Sequence, residues 1–184
     1  MVRLAVRLLI LSALSGIGHA DDRVDARWSG WCDLKQSPSS SSLNLPAWVC
    51  EAAYRAQLHS QFTIYTKINP FYVAGDFNGD GRTDVAIWVT NIRTKQRGIV
   101  IIHKDRSNSI AVLGAGTNTE GRGADYEGLD WWSTIPKGAV LNTTYESRRK
   151  VQLRGDAISI GRLESSSVAV YWDGKKYSYY QLSD

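Results

Sequence analysis

The stretch Gly75-Asp76-Phe77-Asn78-Gly79-Asp80-Gly81-Arg82-Thr83-Asp84-Val85-Ala86-Ile87 decides how the chain is read. Oxygen-bearing side chains fall at positions 1, 3, 5 and 9 of a nine-residue loop, counted from Asp76 to Asp84. A hard cation such as calcium takes about six to eight oxygens, and alternate residues of a tightly curled loop can all point at one centre. Gly81 permits the sharp turn after which the main-chain carbonyl of Arg82 faces the ion. Asp76, Asn78, Asp80, the Arg82 carbonyl and Asp84 are therefore the candidate calcium ligands. Without a counter-ion the three carboxylates repel one another. Calcium suits a flexible all-oxygen cage better than magnesium does, and the loop lacks the Cys or His that zinc favours. Position 12 is Ile87, where an EF-hand would place a bidentate Glu.

Working outward, the loop lies between two runs of period two. Tyr72 to Gly75 leads in. Afterwards Val85, Ile87 and Val89 take one strand face, with Ala86 and Trp88 on the other. Phe62 to Tyr65 is a short strand, and Ile110 to Leu113 another. Gly98 to His103 is apolar on both faces and reads as a central strand. A glycine-rich stretch from Gly114 to Gly128 reads as loop, with Trp131 and Trp132 in the same irregular region. Residues 138–150 carry little pattern. Ile158 and Ile160 then alternate with small or polar residues, as do Val168, Val170 and Trp172 with Ala169 and Tyr171. Asp173-Gly174 interrupts two such runs and predicts a tight hairpin whose turn residues accept positive φ. The one helical pattern covers about residues 46–59. Pro46 stands in its first turn, and Trp48, Val49, Ala52, Ala53 and Ala56 share a face. The expected class is α+β, dominated by an antiparallel sheet, with one helix near the start.

This loop and its flanks resemble the signature of FG-GAP or VCBS-type repeats, in which the same loop joins two strands and binds calcium. The resemblance is specific over residues 72–90. Looser likeness to small exported single-motif proteins extends to Gly98–His103, Val112–Gly116 and Tyr171–Tyr177. Propeller members of the family carry several copies. One copy here does not imply a complete propeller. What the resemblance implies is calcium and export, not a reaction.

The first 20 residues have the layout of a signal peptide: Arg3 and Arg7, an apolar run from Leu4 to Leu14, and small residues before a cut after Ala20. The run is too short to span a membrane, which takes about 20 residues. Losing Arg3 and Arg7 lowers the net charge from +4 to +2. That balance, with one small basic cluster at Arg148, Arg149 and Lys150, does not point to nucleic acid. No membrane span is expected in the mature chain, which is periplasmic or secreted. Residues 21–44 read as a flexible segment containing the serine run 37–42, and 45–184 as a single β-rich domain. The only two cysteines, Cys32 and Cys50, predict a disulfide in an exported chain. It would contribute about 3 kcal/mol in the chain-entropy model.

Catalytic patterns are sparse. His19 leaves with the leader, and His59 and His103 lack the context of a triad. Asp125, Glu127 and Asp130 form a carboxylate cluster beside Trp131 and Trp132, which a glycoside or other hydrolase at the envelope could use. The same two tryptophans form a candidate ligand face. The leading expectation is a non-catalytic, calcium-binding exported domain that engages a protein or glycan at the cell envelope. An envelope hydrolase and a secreted enzyme inhibitor are the alternatives.

Overall fold

The computed structural model describes residues 31–32, 45–120, 122–143 and 150–184. The leader at 1–20, the serine run, most of the segment 21–44, and Arg148 and Arg149 lie outside the described residues.

The helical pattern forms, but in two pieces. Helix α1 runs Ala47–Arg55 and α2 runs Leu58–Gln61. The break comes at Gln57, which adopts the left-handed conformation at φ 53°. The single helix expected over 46–59 thus turns at its second half. That turn lets Leu58 bury beside Val49, Cys50, Ala52 and Ala53. Cys32 and Cys50 form the disulfide. It fastens Trp31 under the helix, where the indole Nε1 donates to the Phe62 carbonyl at 3.1 Å.

Eleven strands follow among the described residues: β1 Phe62–Ile64, β2 Tyr72–Gly75, β3 Asp84–Asn91, β4 Arg97–Ile102, β5 Ile110–Gly114, β6 Trp131–Ile135, β7 Val140–Leu141, β8 Val151–Gln152, β9 Ala157–Gly161, β10 Ser167–Trp172 and β11 Tyr177–Ser183. Every pairing is antiparallel. The first sheet runs β1-β3-β4-β5, with β2 also on β3. β1 and β2 share one side of β3, pairing with Val89–Asn91 and Asp84–Ile87 respectively. The second sheet runs β11-β10-β9-β6, and β7-β8 is a small ribbon. The fold is α+β with β dominant, and the described residues form neither a closed barrel nor a propeller.

The alternation read in the sequence becomes three layers. Val85, Ile87, Val89, Val100 and Ile102 turn outward from the first sheet and bury against α1 and Trp31. Ala86, Trp88, Ile99, Ile101 and Leu113 turn the other way and meet Trp132, Ile158, Ile160, Val170 and Tyr179 of the second sheet. β3 and β4 are apolar on both faces because both faces are covered. Beyond the second sheet, Ala157, Ala169, Tyr171 and Tyr180 pack with Leu141 and Leu153 beside the ribbon.

Two expectations change. Trp131 and Trp132 lie in strand β6, not in a loop, since their partners Gly161 and Ile160 supply a ladder. The β10–β11 connection holds four residues, because Trp172 pairs with Tyr177. Only Gly174 has positive φ there. The Asp173 carboxylate closes the turn instead, accepting from the backbone N–H groups of Lys175 and Lys176 at 2.8 and 2.9 Å. Those backbone bonds, Lys176 first, hold its pKa below the usual carboxylate value.

Candidate metal loop at the junction of the two sheets

The Asp76–Asp84 loop connects β2 to β3 and curls through bonds from its own side chains to its backbone. Asn78 Oδ1 accepts from the Asp80 N–H at 3.0 Å, and Asp80 Oδ1 from the Arg82 N–H at 2.9 Å. Asp76 Oδ2 accepts from the Gly81 N–H at 3.1 Å. Each such bond bends the chain back on itself, as Asp and Asn side chains do in turns. Gly79 and Gly81 take positive φ, 79° and 84°, where other residues are strained. Phe77, fully buried in the inter-sheet core, anchors the loop from beneath.

The loop is pressed onto the second sheet. The Asp76 carbonyl accepts from the Asp156 N–H at 2.7 Å, and the Asp76 N–H donates to Asp156 Oδ2 at 2.8 Å. The other oxygen of Asp156 accepts from the Lys137 N–H at 2.8 Å. A Cβ on Gly155 would stand 2.5 Å from the Asp76 carbonyl oxygen, so only glycine allows this approach. Lys137 reaches back, its Nζ 2.9 Å from Asp76 Oδ2.

Asp84 faces inward and is fully buried. Its oxygens accept from the N–H groups of Phe77 at 3.0 Å and Lys104 at 2.9 Å, and pair with His103 Nδ1 at 2.9 Å. The other ring nitrogen, Nε2, lies 3.2 Å from the Tyr177 hydroxyl. Burial, helped by the nearby Asp84 and Asp76 charges, raises the Tyr177 pKa and keeps that phenol protonated. This Asp–His–Tyr chain links β3, the residue that follows β4, and β11, and it ends on a tyrosine that is 4% exposed.

How well does the loop fit a cation? Among the described residues, no three His, Cys, Asp or Glu side chains already converge as a metal cage. Asp84 retains only about one of its four lone-pair sites. Asp76 Oδ1 is different. It is buried and has no hydrogen-bond partner. A buried carboxylate oxygen without a donor is costly in free energy, and a cation satisfies it. By donor type the loop fits a hard cation, which would be held by Asp76, Asn78, Asp80 and the Arg82 carbonyl, while Asp84 braces the loop from behind. Sequence reasoning missed Lys137, Gly155 and Asp156. The Gly155-Asp156 pair just before β9 was their one visible signal.

The other sequence candidates separate. Asp125 Oδ1 accepts from the N–H groups of Arg97 and Glu127 at 2.8 and 3.0 Å. Glu127 is exposed and sits 3.7 Å from Arg97. Asp130 Oδ1 accepts from the Leu163 N–H at 2.9 Å. Successive strand residues point to opposite faces, so Trp131 and Trp132 do not form one ligand face. Trp132 is 5% exposed, packs edge-on against Trp88 with centroids 5.6 Å apart, and donates from Nε1 to the Pro70 carbonyl at 2.6 Å. Trp131 is half-buried and lies over Gly161. His59 stacks on Tyr54 with centroids 5.7 Å apart.

An open cavity of about 560 Å³ lies between edge strand β5 and the β10–β11 turn, lined by Ala111, Leu113, Thr119, Trp172, Lys175 and Tyr177 among others. Sequence reading did not single it out, because its walls come from strands far apart in the chain. Compared with known protein families, curated proteins and solved structures, the chain matches none.

Proposed function

We infer that this chain is a non-catalytic, calcium-binding exported domain, in which the ion stabilises the junction of the two sheets. The observation that carries the reading is the buried, unpartnered Asp76 Oδ1 at the head of the loop. The loop touches both sheets through Asp156, so an ion there tightens tertiary structure and not only the loop itself. The Cys32–Cys50 disulfide supports an oxidising compartment, periplasm or medium, in keeping with the leader-like first 20 residues. No helix among the described residues is long and apolar enough to cross a membrane. The carboxylates at 125 and 130 favour the non-catalytic reading over the hydrolase, because each is engaged by backbone N–H: Asp125 by Arg97 and Glu127, Asp130 by Leu163.

The partner we propose is a protein or glycan at the cell envelope. We place it at the cavity between β5 and the β10–β11 turn, since half-buried Trp172 offers an aromatic edge beside polar Thr119 and Lys175.

The test of the ion is thermal unfolding in calcium and in chelator. At a free calcium concentration 100 times the dissociation constant, stabilisation of about 2.7 kcal/mol is expected. For a chain of this size that raises Tm by about 5–10 °C. Superimposable melts in the two conditions would falsify the calcium reading.

A further inference from the structure

We propose that Lys137 is a built-in competitor of calcium: its ammonium neutralises Asp76 when the ion is absent and is displaced when the ion binds. The proposal rests on the calcium reading above and adds a residue that sets the affinity of that site.

The placement of Lys137 follows from its backbone. Its N–H donates to Asp156 Oδ1, and the next N–H, of Gly138, donates to the Leu153 carbonyl at 2.9 Å. Gly138 adopts φ 85°, which turns the chain and leaves the Lys137 side chain facing the loop. Asp156 is the shared hinge, because its second oxygen accepts from the Asp76 N–H. One carboxylate therefore fixes both the lysine and the aspartate that the lysine pairs with. The ammonium then meets Asp76 Oδ2 at 2.9 Å, while Oδ1 of the same carboxylate stays buried without a partner.

Two cations cannot share this carboxylate at no cost. A doubly charged ion on Asp76 repels an ammonium in contact with the same group. Lys137 is the mobile member: half of its side chain is exposed, at 49%, against 17% for Asp76. Its flexible stem lets the ammonium swing into solvent. In the ion-free protein the lysine relieves the acid repulsion that would otherwise loosen the junction. In the ion-bound protein it is a charge to be moved aside, so it lowers affinity. The solvent-exposed Pro136-Lys137-Gly138 turn thus changes with calcium occupancy, although none of its side chains is a ligand.

Lys137→Met and Lys137→Arg, each compared with the unmodified chain, decide the matter. Calcium titration by calorimetry is expected to give about two- to five-fold tighter binding for Lys137→Met, the range of a partly exposed ion pair. Lys137→Arg is expected to bind as the unmodified chain does. In chelator, Lys137→Met should melt below the unmodified chain, and in saturating calcium the two should coincide. A merely structural lysine would lower both melts equally and leave affinity unchanged. That result, or equal affinity in all three chains, overturns the proposal while leaving the calcium site standing. No calcium binding by the unmodified chain overturns both.

Discussion

Two short segments each carry three acids, and they behave differently. In Asp76–Asp84 the acids are interleaved with Asn78, Gly79 and Gly81, and the chain folds around its own oxygens. In Asp125–Asp130, Asp125 and Asp130 accept from backbone N–H groups remote in sequence, at Arg97 and Leu163, while Glu127 lies 3.7 Å from the Arg97 guanidinium. The number of acids is the same, but only the first loop leaves a buried carboxylate oxygen without a donor. The lesson concerns spacing. Alternate Asp and Asn residues with glycine at the bend cap the N–H groups of their own loop, whereas acids followed by ordinary residues cap N–H groups brought in by other segments.

The sharpest way to break the comparison is to remove the brace behind the first loop. Asp84→Ala strands the N–H groups of Phe77 and Lys104 and the His103 ring, of which Phe77 and His103 are buried. A loss of about 3–5 kcal/mol is expected in urea unfolding, in calcium and in chelator alike. A loss confined to calcium-containing buffer would mean that Asp84 is chiefly a ligand. The next effect is smaller and conditional. Asp80 is exposed, so Asp80→Ala should change stability in chelator by no more than about 0.5 kcal/mol. In calcium it should forfeit the increment of about 2.7 kcal/mol that the intact loop gains. Retention of the full calcium shift by this variant would remove Asp80 from the ligand set. The smallest effect belongs to the second segment. Glu127→Gln touches only a long, exposed contact with Arg97, so a change within about 0.5 kcal/mol and an unaltered calcium response are expected. A large loss there would place Glu127 in a network that the distances do not describe.

Much of the fold was legible locally. The alternation at Val85–Val89 placed each side chain on the face it occupies, because the pleat has period two whatever the sheet packs against. The apolar run Ile99–Ile102 announced a strand covered on both sides. What escaped was decided at a distance. Trp131 and Trp132 looked like loop residues, since glycines precede them, until β9 supplied the partner that makes them a strand. Asp173-Gly174 looked like a two-residue turn, yet the Asp173 carboxylate held a longer one. Single-chain pattern cannot rank a side-chain cap against a backbone preference when both are worth about 1 kcal/mol.

The candidate site divides the same way. From sequence alone came the nine-residue spacing, the glycines at its bends, the two-cysteine staple and the β-dominant class, because each depends on neighbours within a few residues or on composition. Tertiary structure alone decided that the loop clamps two sheets, that Asp84 serves His103, and that Lys137 and Asp156 stand against Asp76. Those contacts join residues 19 to 80 positions apart. Their partners are chosen by the packing of the sheets, which no local pattern encodes.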